Sequence, residues 1–128
     1  MSEHRRVTVL VIEDVQDTAD TLAEFLTQGY GFEVSVAADG ETGLKWAQAD
    51  PPDAVVCDIG LPRLDGLKVA EQIRHTVSPC PLLIAVTAYG GTYTAADALG
   101  PFDHYLVKPA DPRAITALLR AHPSHPPA

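Results

Sequence analysis

The sequence predicts an α/β domain: a doubly wound, five-stranded parallel sheet flanked by helices on both faces. Three observations lead there. Five short runs rich in Val, Ile, Leu and Ala recur, at 7–12 (VTVLVI), 32–36 (FEVSV), 54–57 (AVVC), 82–86 (LLIAV) and 105–107 (YLV). Helical patterns fall between and after them. The first and fourth runs are nearly continuous in apolar character instead of alternating, which marks strands covered on both faces, as in a parallel sheet.

Size and charge narrow the classes. A chain of 128 residues with 46 % hydrophobic residues suits one domain with an ordinary core. With 9 Lys+Arg against 17 Asp+Glu the formal charge is −8, which repels phosphate backbones and argues against a nucleic-acid partner. The longest apolar runs, 9–12 and 82–86, fall far short of the ~20 residues of a membrane span. Residues 1–6 hold no apolar signal-peptide core, so a cytoplasmic location is expected. Cys57 and Cys80 lie in or beside apolar segments without metal-ligand spacing and read as small buried hydrophobes in a reducing compartment.

Each helix has its own signal. Over 17–28, Ala19, Leu22, Ala23 and Leu26 form one apolar stripe. The helix over 40–49 follows Asp39, a good N-cap, and carries Leu44, Trp46 and Ala47. Gly66, Val69, Ala70 and Ile73 stripe the third, over 66–75. The last, over 112–121, opens with Asp111 as N-cap and Pro112 at the first helical position, then turns Ile115, Leu118 and Leu119 inward. Between the fourth and fifth strands, 90–99 (GGTYTAADAL) predicts a short or mobile fourth helix, weakened by two leading glycines. Residues 1–6 form an N-terminal extension, 7–121 the domain, and 122–128, with three prolines in seven positions, a disordered tail.

Strand–helix alternation of this kind winds with right-handed crossovers, and at this size the default is the flavodoxin-like strand order 2-1-3-4-5. Ligands of such sheets bind beyond the carboxyl ends of the strands. There the first strand meets Glu13-Asp14, the third Asp58, the fourth Thr87 and the fifth Lys108, whereas the second meets only Ala37-Ala38. The reactive types therefore converge on one rim. Three neighbouring carboxylates need positive charge among them. Lys108 supplies one, and an all-oxygen set favours a hard cation such as Mg²⁺. A carboxylate beside Mg²⁺ and lysine can attack phosphorus to give an aspartyl phosphate, with the cationic groups shielding the transferred charge.

At these residues the chain resembles the receiver domain of two-component response regulators, over about residues 6–121. The matching motifs are Glu13-Asp14, the run from Asp58 through Gly60 and Pro62 to Asp65-Gly66, then Thr87-Ala88, and Tyr105-Leu106-Val107-Lys108-Pro109. The resemblance implies that Asp58 is the phosphoacceptor and that Glu13, Asp14, Asp58 and the Gly60 carbonyl form the Mg²⁺ site. It implies that Thr87 and Lys108 bind the phosphoryl group, that Tyr105 is a switch aromatic following Thr87, and that Lys108-Pro109 is a cis peptide. It also implies a histidine kinase or histidine phosphotransfer protein as donor, a downstream protein effector, and compatibility with a phosphorylation-dependent homodimer.

Two features depart from the usual pattern. Glu13 stands where Asp is commoner, and its longer side chain is expected to reach metal through water. Gly60 and Tyr89 occupy positions that tune hydrolytic water in the family, and neither offers a group to orient it, so a long-lived phospho-form is expected.

The chain is thus expected to be a phosphoacceptor signalling module, not a turnover enzyme, with no DNA-binding output among its own residues. A pseudo-receiver, binding protein without phosphorylation, is the alternative, and the intact acceptor, acids, Thr and Lys oppose it. A haloacid-dehalogenase-like phosphatase would place its nucleophile after the first strand in a DxD arrangement, where Glu13-Asp14-Val15-Gln16 stands instead. A flavodoxin-type flavin site would need a Ser/Thr-rich loop at that same place.

Overall fold

Runs of apolar, largely β-branched residues become the strands of one parallel sheet: β1 (Thr8–Ile12), β2 (Glu33–Ala37), β3 (Ala54–Asp58), β4 (Leu82–Thr87) and β5 (His104–Val107). Their order is β2-β1-β3-β4-β5, as predicted. The helices are α1 (Gln16–Tyr30), α2 (Gly40–Ala49), α3 (Gly66–Thr76) and α4 (Pro112–Ala121). The computed structural model describes residues 7–60, 66–87, 100–108 and 110–121. The helix expected over 90–99, the N-terminal extension, the C-terminal tail, Tyr89 and Pro109 lie outside the described residues.

Alternation along the strands divides the core in two. On one face Leu10, Ile12, Val55, Cys57, Leu83 and Ala85 pack with Ala47 of α2 and Val69, Ala70 and Ile73 of α3. On the other, Val9, Val11, Val56, Ile84 and Val86 meet Leu26 of α1 and Ile115 and Leu119 of α4. Every residue of β3 and β4 is buried, as their unbroken apolar runs require. The edge strand β2 exposes Glu33 and Ser35.

Both predicted N-caps are present. Asp39 Oδ1 accepts from the Thr42 N–H at 2.7 Å, and Asp111 Oδ1 accepts from the Arg113 N–H at 2.9 Å. At α1 the N-cap is Val15, which has no side-chain cap. Gly31, at φ 71°, closes the other end of α1 in the left-handed conformation that glycine adopts freely.

One apolar helix residue faces solvent, and the expectation that Cys80 is buried is corrected. Trp46 is 46 % exposed: one position before Ala47, it is rotated about 100° around the helix from the core stripe, which Gly40, Gly43 and Ala47 occupy. Cys80 is exposed, outside β4, and its Sγ lies 3.6 Å from Arg74 Nη1. That arginine also bonds the Pro101 carbonyl and pairs with Asp103 Oδ1 at 2.9 Å, while Asp103 Oδ2 accepts from the Leu83 N–H at 2.8 Å. The end of α3 is thereby joined to the starts of β4 and β5, at the opposite rim from Asp58. Cys57 is buried, as expected.

Candidate functional site

The strand order brings the carboxyl ends of β1, β3, β4 and β5 side by side, and the predicted polar residues with them. Asp58, the last residue of β3, is buried at 8 % exposure. Glu13 follows β1 directly, its N–H bonded to the Ala37 carbonyl at 3.0 Å, and is buried as well. Asp14, one residue on, is exposed. Thr87 ends β4, is buried, and accepts the Lys108 N–H on its carbonyl at 2.6 Å. Tyr105 lies within β5, partly buried against the core on the α2–α3 face.

Lys108 ties the site together. Its Nζ lies 2.8 Å from Glu13 Oε1 and 3.1 Å from Asp58 Oδ2. The other Asp58 oxygen, Oδ1, accepts from the Gly60 N–H at 3.0 Å, and Glu13 Oε2 accepts from the Val15 N–H at 3.2 Å. Both buried carboxylates are therefore oriented through both of their oxygens.

The charges respond to burial and to each other. Burial pushes the Glu13 carboxyl above its ordinary value, and the bonds from Lys108 and Val15 only partly pull it back. Burial works against the Lys108 ammonium too, but the bonds to Glu13 and Asp58 outweigh it and hold the pKa above 10.5. At neutral pH Lys108 is therefore a cation between two acids.

One oxygen each from Glu13, Asp14 and Asp58 lies within 4.8 Å of the others. Carboxylate oxygens alone make a hard-cation donor set, and this trio at a rim fits Mg²⁺ with waters completing its shell. Beside it a cleft of about 670 Å³ runs between α1 and α4, lined by Asp17, Thr18, Thr21, Leu22, Ala110 and Ile115 among others.

Asp17, in the first turn of α1, also borders this cleft. Gly66 opens α3, as the stripe over 66–75 predicts. Its N–H bonds the Ile59 carbonyl at 3.0 Å, docking the start of α3 against the residue after Asp58. The sequence predicts Lys108 among the rim acids; that Glu13, 95 residues away, is one of its two partners is shown by the structure.

Among the described residues, no helix is long and apolar enough to cross a membrane. Comparison with known proteins agrees with the geometry. The chain is 34 % identical over 114 residues to the alkaline phosphatase synthesis transcriptional regulatory protein PhoP of Bacillus subtilis, covering 88 % of this chain and 47 % of that one. It is 35 % identical over 115 residues to the response regulator MprA of Mycolicibacterium vanbaalenii, covering 90 % and 49 %. The chain thus spans about half the length of these curated relatives.

Among solved structures, a CheY-like response regulator receiver domain from Methylobacillus flagellatus superposes with a TM-score of 0.82 at 28 % identity, covering 91 % of this chain and 98 % of that one. The receiver domain of Saccharomyces cerevisiae Ssk1, solved with the histidine phosphotransfer signaling protein Ypd1, shares the fold with a TM-score of 0.80 at 21 % identity, covering 93 % and 90 %. The profile of the response regulator receiver domain matches residues 9–120, the span that carries the sheet, the acids at its rim and Lys108. The chain belongs to that family, whose members are phosphoacceptor signalling modules.

Proposed function

We propose that Asp58 accepts a phosphoryl group from a phosphohistidine on a histidine kinase or histidine phosphotransfer protein, and that the modified chain presents an altered protein-binding surface to a downstream effector. The observation that carries this reading is a buried strand-end carboxylate contacted by an ammonium at 3.1 Å. In the transfer an Asp58 oxygen forms the new P–O bond while the donor P–N bond breaks, the imidazole leaving with the electron pair. The Gly60 N–H on Oδ1 fixes the carboxylate plane. Lys108 offsets charge gathering on the phosphoryl oxygens, and the Thr87 hydroxyl binds one of them once they arrive.

Glu13, Asp14, Asp58 and the Gly60 carbonyl form the cation site in this reading, and Mg²⁺ bound there would supply positive charge against the transferring group. Tyr105 follows Thr87 as the switch aromatic, and the phosphoryl group selects one of two pre-existing packings. A phosphorylation-dependent homodimer is one form the altered surface takes. The module works in the cytoplasm, catalysing only its own phosphorylation and slow dephosphorylation. The acidic charge of this domain supports its acting through protein contacts.

Incubation with acetyl phosphate and Mg²⁺, followed by intact mass measurement, tests this. One phosphoryl group is expected on the natural chain and none on Asp58→Asn. No gain from acetyl phosphate and none from a phosphohistidine donor, with the protein folded, would overturn the reading in favour of a pseudo-receiver.

A further inference from the structure

We propose that the groove beside Trp46, at the amino-terminal end of the sheet, receives an arginine side chain from a basic segment of a partner protein. This docking site goes beyond the phosphoacceptor reading and does not depend on it. Three observations carry it. Trp46 is 46 % exposed, a large apolar ring at the mouth of a groove of about 260 Å³. The groove is lined by Glu33 and Asp50, and by no Lys or Arg among the described residues. Both carboxylates are exposed and without a hydrogen-bond or ion-pair partner among the described residues. Asp50 is also the C-cap of α2, whose last turn holds no basic residue. The helix dipole already gathers negative charge at that end, so an acid there opposes it and a cation from outside relieves both.

Size and shape select the occupant. Pockets for whole small molecules start at ~300 Å³, so this groove suits one long side chain. A guanidinium stacks flat on an indole while its N–H fork serves carboxylates, which a lysine ammonium does less well. The walls are set in advance. Pro52 has a fixed φ, and Thr8 is held by Asp53, whose Oδ2 accepts the Thr8 N–H at 2.8 Å. The Asp53 N–H in turn donates to Thr8 Oγ1 at 3.0 Å, so little ordering is needed on binding. Thr8 and Glu33 begin their strands, whereas Asp58 ends β3. A partner docked here therefore leaves the phosphoacceptor rim open.

The probe is a capped Gly/Ser peptide carrying two arginines, titrated into the ¹⁵N-labelled full chain at low salt. Trp46 is the single tryptophan, so one indole N–H signal reports the groove. That signal and the Glu33 and Asp50 amides should shift together, while the Gly60 and Val15 amides stay in place. Trp46→Leu should weaken binding about threefold, and Glu33→Gln combined with Asp50→Asn about fivefold. Glu24→Gln, which removes an exposed acid of α1, should change it less than about twofold. Lysines in place of the peptide's arginines should weaken it several-fold. Acetyl phosphate with Mg²⁺ should leave the Kd within about twofold.

No shift of the indole signal at millimolar peptide would overturn the proposal. Shifts centred on Gly60 and Val15 would overturn it too, because the rim acids would then be what attracts the peptide. Equal weakening by Glu24→Gln would reduce the effect to net charge. Binding that appears only after Arg5→Ser and Arg6→Ser would give the groove to the chain's own basic residues instead of a partner. Failure of the chain to take a phosphoryl group would sink the phosphoacceptor reading and leave the peptide titration to decide the groove.

Discussion

Gly66 packs directly on the backbone of Asp58: a Cβ placed on Gly66 would stand 2.5 Å from the Asp58 carbonyl oxygen and 2.7 Å from Ile59 Cα. The first residue of α3 is glycine because the helix starts against the strand end that carries the buried carboxylate. Backbone cannot yield as a side-chain tip can, so Gly66→Ala must push α3 and the end of β3 apart. Overpacking of this kind costs typically ~1–3 kcal/mol, and the shift would also disturb the Gly60 N–H that orients Asp58. The expected outcome is a lower urea midpoint together with slower phosphorylation. Gly29, in α1 with nothing within 4 Å of an added Cβ, is the control: Gly29→Ala should stabilise by up to ~1 kcal/mol. Equal stability of Gly66→Ala and the natural chain would contradict this account of α3.

The same relationship shows what could be read in advance. Continuous apolar runs revealed β1 and β4 because burial on both faces leaves no polar position, and α4 could be bounded within a residue because Asp111 and Pro112 can do little else there. Asp58, Thr87 and Lys108 were legible as rim residues once strand order was assumed, since each directly ends or follows a strand. Rotation about a helix was less legible: Trp46 and Ala47 are adjacent in sequence, yet one is exposed and the other buried. Cys80 looked buried beside an apolar run, but it precedes the strand and lies by Arg74. The Glu13–Lys108 contact depends on rotamers at opposite ends of the chain, which no local pattern encodes.

Lys108 should set a feature of the alkaline stability profile. Its folded pKa is raised above 10.5, so the folded state holds this proton more tightly than the unfolded chain does. The stabilisation is fully present below the unfolded value and is lost as pH rises through the folded one. Comparison of metal-free natural chain with Lys108→Met in urea titrations should show their stability difference changing above about pH 10.5. Glu13 carries the same sign in a more acidic window. Its raised carboxyl pKa means that its contribution falls as pH rises from near 4.5 through the folded value. A Lys108→Met chain with the same alkaline slope as the natural chain would refute the assignment of that loss to Lys108.

The single tryptophan should be a poor reporter of the site. Trp46 borders a groove of about 260 Å³ with Thr8, Glu33, Ser35, Asp50 and Pro52, at the N-terminal ends of β1 and β2. Asp58 sits at the other end of the strands. Tryptophan emission is therefore expected to show a solvated indole and to change little on adding Mg²⁺ or acetyl phosphate. Trp46→Ser should shift stability by no more than ~0.5–1 kcal/mol, as for an exposed position. Strong quenching by Mg²⁺ would contradict this and would mean that α2 moves when the site is loaded.

Gly60 leaves the approach to Asp58 without a side chain. Its N–H holds Asp58 Oδ1 at 3.0 Å, and an added Cβ would meet that oxygen at 3.7 Å, an ordinary contact. A larger residue would therefore fit, and its absence means that no group at position 60 can orient a water for attack on phosphorus. Hydrolysis of the phospho-form should accordingly be slow. Gly60→Asn, which adds an amide able to bind that water, should speed it a few-fold, whereas Gly60→Ala, which adds only bulk, should not. The decay of the phosphorylated mass after donor removal measures all three chains in Mg²⁺ buffer. A half-life of seconds for the natural chain, or equal rates for the Asn and Ala variants, would show that water reaches the phosphoryl group without help from position 60.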